Sequence, residues 1–276
     1  MNDKDVRKLM DTSIERQIKV ELDKVFESKR KRIFSKITAA ALGSIPWVGG
    51  LLSAAAGFRS EEGQVGTNTL IQEWLEEHKA KMQRLAETLV ATMKRLDEFP
   101  EDINNRLESE EYLQVVRRSF KSWDNADTQE KRELVRKLLT NAGTTSIDSD
   151  DLIRLFLDWI DLYHDIHFAV IKTVYQNPEA TRLEIWRELR GKEVREDSME
   201  ADLFRLLIRD LSTGGVLRQH RATDYQGNFI KKTPKKTISR TTTMKSAFDD
   251  SETYELTELG QKFVHYTMDE VVPRIS

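Results

Sequence analysis

Cysteine is absent from all 276 residues, and that absence removes several functions at once. A chain without thiols holds no disulfide framework, no cysteine-ligated zinc or iron–sulfur centre and no thiol nucleophile, and it suits a reducing cytoplasm. Proline is scarce at 5 residues, so few positions forbid a helix. The opening MNDKDVRKLMDTSIERQIKV is too polar and acidic to read as a secretory leader. Charge of one sign is lacking too: 44 basic against 47 acidic residues leave a net −3, which names no class of partner. Catalytic signatures are missing. GSIPWVGG lacks the Lys-Ser/Thr ending of a phosphate-cradling loop, and neither GxSxG nor HExxH occurs. The expectation is a protein that is not an enzyme and takes no cofactor or metal.

What is present is mostly helical pattern. Residues 3–36 place Val6, Met10, Ile14, Ile18, Leu22, Val25, Phe26, Ile33 and Phe34 three and four apart, which predicts an amphipathic helix broken once. A second such run covers 67–98 and stops at Phe99-Pro100. EDINNRLESEEYLQVVRRSFKSW follows, then TQEKRELVRKLLTNAG with a cap signal at Asp127-Thr128, then an apolar helix or helix pair from Leu152 to Tyr175. In the last of these, Asp161, His164 and Asp165 share a face if the helix is continuous, a spacing that can hold a divalent metal. A hydrated acidic side is the plainer reading. Trp74, Trp123, Trp159 and Trp186 sit inside amphipathic patterns and read as core.

One stretch departs from the rest. ITAAALGSIPWVGGLLSAAAGF, residues 37–58, has no charge in a chain where 33% of residues are charged. It has the length of a membrane span, but Pro46 disfavours helix at Ile45, and Gly43, Gly49 and Gly50 free the backbone to turn. The pattern predicts two short arms joined by SIPWVG, with Trp47 at the tip. Such a hairpin is buried in the protein's own core, pairs with other copies in a homo-oligomer, or enters an anionic membrane after a trigger. In the last case Leu42, Ile45, Val48, Leu51 and Leu52 would insert and Pro46, Trp47, Gly49 and Gly50 would form the turn, helped by the basic cluster Lys29, Arg30, Lys31, Arg32 and Lys36.

After Asn177-Pro178 the texture changes. Helix, helix, Gly-Gly stop, strand, long loop, strand and helix succeed one another from TRLEIWRELRG to TYELTELGQKFVHYTM, the order of a winged helix. Its second helix offers Glu200, Asp202, Arg205, Arg209 and Asp210, a mixed face ill suited to phosphates. The wing is basic: Arg218, Arg221, Lys231, Lys232, Lys235, Lys236, Arg240 and Lys245 stand against Asp224 alone, a concentration suited to DNA, RNA or an anionic membrane. The fold class expected is therefore mainly α: 1–66 an amphipathic helix plus apolar hairpin, 67–175 a helical bundle, and 176–276 a small α+β winged-helix-like domain.

The apolar glycine-containing segment, ESEEYLQVVRRSFKSW, ELVRKLLTNAG and the acidic DSDDLIRLFLDWIDLYHDIHFAVIKTVY together resemble the abortive-infection alpha-helical proteins of bacteria over about residues 35–180. The resemblance implies a role in defence against phage by an effector that harms or arrests the infected cell. On that expectation the chain is a non-enzymatic cytoplasmic protein whose hairpin 37–58 acts on the inner membrane once triggered. The alternatives are a winged-helix regulator that binds nucleic acid through its wing, and a helical adaptor that holds another protein.

Overall fold

The computed structural model describes residues 29–48, 69–144, 149–192, 194–221, 225–226, 230 and 246–268. Among them the protein is mainly helical with one small antiparallel sheet, and it divides into two compact units, the first ending at Leu162 and the second running Tyr163–Met268.

In the first unit, α1 (Lys31–Ser44) and α2 (Thr69–Asp97) are followed by a 3-10 turn (Glu101–Ile103), the short α3 (Asn104–Glu108), α4 (Glu110–Asn125), α5 (Gln129–Thr144) and α6 (Asp150–Leu162). Helix α4 is the hub, packing against α1, α5 and α6. It starts where Ser109 accepts from the Tyr112 amide, and its apolar spacing buries Tyr112, Val115, Val116, Phe120 and Trp123. The two polar tips among these find partners: the Tyr112 hydroxyl donates to the Leu139 carbonyl at 3.1 Å and the Trp123 indole to the Thr88 hydroxyl at 3.1 Å. Burial pushes the Tyr112 phenol well above its ordinary range, the Arg106 charge opposing it. Arg106 in turn grips Asp150 through both terminal guanidinium nitrogens, tying α3 to the start of α6.

Arg30 closes one end of this unit. Its backbone carbonyl accepts from the Phe34 amide as α1 begins, while its side chain, 4% exposed, donates to the Leu96, Phe99 and Pro100 carbonyls and to the Asn104 side chain. The last carbonyls of a helix have no partner within it, and here a buried cation supplies one.

The second unit contains α7 (Asp165–Gln176), β1 (Ala180–Thr181), α8 (Arg182–Arg190), α9 (Met199–Thr213), β2 (Leu217–Gln219), β3 (Thr253–Leu256) and α10 (Glu258–Thr267). Of the helix or helix pair expected from Leu152 to Tyr175 the pair is found, α6 ending at Leu162 and α7 starting at Asp165, so the spacing that would gather Asp161, His164 and Asp165 on one continuous helix does not apply. His164 caps α7 instead, its amide donating to His167 Nδ1 at 3.1 Å. Strand β3 lies between β1 and β2, with Thr181 opposite Thr253 and Arg218 opposite Glu255. Caps fix the helix starts: Thr181 with Glu184 on α8, Ser198 on α9 and Thr257 on α10. Hydrogen bonds from the Thr181 amide and then from its hydroxyl hold the Glu184 carboxyl below its usual range, with a smaller contribution from the Arg187 charge. The core stacks Phe168 of α7 on Phe263 of α10 and closes Trp186, Phe204 and Phe248 into an aromatic cluster.

Helix α9 ends at Gly214-Gly215, where Gly215 adopts φ +77 and lets the chain reverse into β2. Gly260 serves another purpose. A Cβ there would lie 2.4 Å from the Val216 carbonyl oxygen, so only glycine lets the first turn of α10 press against the start of β2.

Candidate functional site

The uncharged stretch is built into the first unit wherever it is described. Its first arm does not stand alone: it is the C-terminal half of α1, continuous with the basic cluster before it. Ile45 is extended, as the following proline requires, and 46–48 form one helical turn. Ile37, Ala41, Ile45 and Val48 are buried, Leu42 is half-buried and Pro46 is exposed. Trp47 is clasped: its indole donates to Asp124 at 2.7 Å, its ring meets His78 edge-on at 5.5 Å, and Lys81 lies 5.2 Å from the ring and 2.5 Å from the same carboxylate. Gly49, Gly50, Leu51 and Leu52 lie outside the described residues. The basic cluster is engaged within the chain: Arg30 is buried, Lys29 pairs with Glu101, and Arg32 and Lys36 reach Glu108. Among the described residues no helix is long and apolar enough to cross a membrane, and no group of three His, Asp or Glu side chains is placed to hold a metal ion.

In the second unit the structure gathers arginines that are far apart in sequence. A cleft of about 540 Å³ opens between the last turn of α9, β2 and β3. Ile208, Leu217 and Tyr254 line it with buried side chains, and Arg182, Arg209, Arg218 and Arg221 also border it. Arg182 is fixed from below, its Nε donating to the Tyr254 hydroxyl at 2.9 Å with the guanidinium 5.3 Å from that ring. Arg218 pairs with Glu255 at 2.6 Å, and Arg209 makes only long contacts of 3.4 Å to Asp210. Neither Arg182 nor Arg221 has a carboxylate partner among the described residues. His220 lies 2.7 Å from Glu255, and that hydrogen bond raises the imidazole above its usual range. Burial pushes Glu255 up, but the hydrogen bonds from His220 and Arg218 outweigh it and hold the carboxyl low, so both partners favour their charged forms.

Of the wing residues expected to contact phosphates, Arg218 and Arg221 border this cleft, while Lys231, Lys232, Lys235, Lys236 and Arg240 lie outside the described residues. The basic segment between them nevertheless begins and ends here: Arg221 borders the cleft, and the Ser246 carbonyl accepts from Arg182 at 3.4 Å. Glu196 holds the returning end, accepting from Ser246, from the Ala247 amide at 3.0 Å and from Arg205 at 2.5 Å. Arg182 and Arg209 were not legible as cleft residues. Arg209 counted as part of a mixed helix face; Arg205 is drawn away by Glu196 and Asp202, while Arg209 borders both this cleft and the outer face of α9.

No family model, no curated protein and no solved structure matches this chain.

Proposed function

We propose that the second unit is a winged-helix module that holds nucleic acid by its phosphate backbone, within a non-enzymatic defence protein of the abortive-infection kind. The observation that carries this reading is the cleft bordered by four arginines, two of them without carboxylate partners among the described residues, from which a basic segment departs and to which it returns. Guanidinium groups beside an open apolar floor suit phosphate oxygens and the sugar or base between them. Sequence-specific reading of a major groove by α9 has less support, because its acidic residues would face phosphates.

The test is a salt series of binding to labelled duplex DNA, single-stranded DNA and RNA. Each lost phosphate contact removes about 0.9 from the salt slope on duplex DNA, so Arg218→Gln with Arg221→Gln is expected to lower the slope by about 2 and the affinity at least about 10-fold. Lys94→Gln, on the exposed side of α2, is the control. Absence of binding at low salt, or an unchanged slope in the double variant, sinks the reading.

A membrane step belongs to the same proposal through the clasp on Trp47. The described part of the apolar stretch is sealed into the bundle, so action on a bilayer requires its release. Asp124→Ala removes the indole's acceptor and the partner of Lys81 together. Dye release from vesicles containing anionic lipid is expected to rise several-fold in this variant and to fall back when Leu51→Glu is added. Equal leakage from the native chain and Asp124→Ala would remove the membrane from the proposal and leave nucleic-acid binding standing.

A further inference from the structure

Helix α9 is apolar on two faces. Its inner face buries Ala201, Phe204, Leu207, Ile208 and Leu211 in the core of the second unit. Its outer face carries Met199, Leu203 and Leu206, which are 79%, 39% and 39% exposed and line a groove of about 430 Å³ with Asp202, Arg205 and Arg209. Spacings of four and three put these three side chains in one stripe along the helix. An outward apolar stripe adds nothing to the core already formed beneath it, and a run of exposed apolar residues on a helix marks a contact surface.

The flanking charges say what fits it. Asp202 and Arg209 stand seven residues apart on the same flank of the stripe, the acid toward the helix start and the base toward its end. Within the chain Asp202 Oδ1 accepts from Arg205 at 2.8 Å and Arg209 makes 3.4 Å contacts to Asp210, so Oδ2 of Asp202 is the oxygen a second copy would engage. A two-fold axis perpendicular to a pair of antiparallel helices keeps each flank facing its own equivalent. With the axis midway between Asp202 and Arg209, beside Leu206, each Asp202 faces the Arg209 of the other copy and the two Leu206 side chains meet at the centre. A parallel pairing, with the axis along the helices, would carry the two copies of this flank to opposite sides, where Asp202 and Arg209 do not meet across the axis. A phosphate surface would meet Asp202 and Glu200 instead of counter-charges. The stripe and its charges are thus self-complementary in one arrangement, the isologous contact of a dimer. We infer that this chain forms a homodimer through the outer face of α9, with Leu203 and Leu206 packed across the axis and two reciprocal Asp202–Arg209 ion pairs beside it. This inference does not rest on nucleic-acid binding and is tested without it.

The experiment is sedimentation of the full chain from about 1 to about 100 µM, where mass action reveals a reversible dimer. The native chain is expected to dimerise in that range. Leu206→Glu, at an exposed position, is expected to weaken association about 100-fold with an unchanged far-ultraviolet spectrum. Asp202→Arg chains and Arg209→Asp chains each repel their own kind and are expected to dimerise about 10-fold or more weakly. Mixed in equal amounts they present opposite charges at both pairs, and a heterodimer of near-native affinity is expected. A native chain that stays monomeric throughout, a dimer indifferent to Leu206→Glu, or a mixture that associates no better than its components would each overturn the inference. The mixing arm keeps the test decisive if Leu206→Glu alone perturbs folding.

Discussion

Arg30→Ala is expected to destabilise the first unit by about 4 kcal/mol, the largest effect of any single side chain considered in this protein. One guanidinium serves the Leu96, Phe99 and Pro100 carbonyls and the Asn104 side chain. Alanine takes this donor from all four acceptors, and the buried Leu96 carbonyl, left with only the long 3.4 Å bond from the Phe99 amide, is hardest for water to reach. Unmade buried hydrogen bonds cost about 1–3 kcal/mol each, and water recovers part of that at the other sites. At about 2–4 °C per kcal/mol for a unit of this size, the melting temperature falls by about 10 °C. Arg30→Lys tests the geometry: an ammonium is a point charge and does not span carbonyls and an amide side chain as a planar fork does. It is expected to recover less than half of the loss. If Arg30→Lys melts with the native chain, the charge matters and the fork does not.

Gly260→Ala is expected to cost about 3 kcal/mol in the second unit. The new Cβ would stand 2.4 Å from the Val216 oxygen and 3.2 Å from its carbonyl carbon, and these are backbone atoms without a rotamer to change. The same oxygen accepts from the Thr257 amide at 2.9 Å, so moving it aside also strains the bond that seats α10 on β2. Overpacking of this kind costs about 1–3 kcal/mol, to which about 1 kcal/mol is added for the weakened bond. Hydrogen exchange is the measurement that locates the damage: protection should fall in β2, β3 and α10. Native protection in Gly260→Ala would mean that α10 shifts freely and the close approach is not required.

Much of the secondary structure was legible because its signals are local. Ser109, Thr128 and Ser198 each accept from an amide three residues on, and Thr257 does the same at Gly260, where serine and threonine before an apolar run predict them. Proline at 46 makes Ile45 extended and so ends α1 at Ser44. Strand β1 was not legible, since two residues show no alternation and are strand only because β3 pairs with them. The interruption at Tyr163-His164 has neither glycine nor proline to announce it. Arg30 stands in the sequence as one of five clustered basic residues, and nothing local tells it from its neighbours. The candidate cleft was half legible for the same reason: Arg218 and Arg221 are close in sequence, whereas Arg182 and Arg209 reach them only through the fold. The outer stripe of α9 was hidden by abundance, because leucines on both faces of one helix read as a single core pattern.

The clasp on Trp47 has a consequence for the order in which the first unit comes together. Its members come from the turn after α1, from α2 and from the end of α4, and the hydrogen bond from the Trp47 indole to Asp124 joins residues 77 apart in the chain. No helix can form this contact by itself, and closing so long a loop costs entropy before the contact returns anything. The clasp therefore closes only after α2 and α4 have met, and Trp47 is a late arrival whose docking reports that the bundle around it is already assembled.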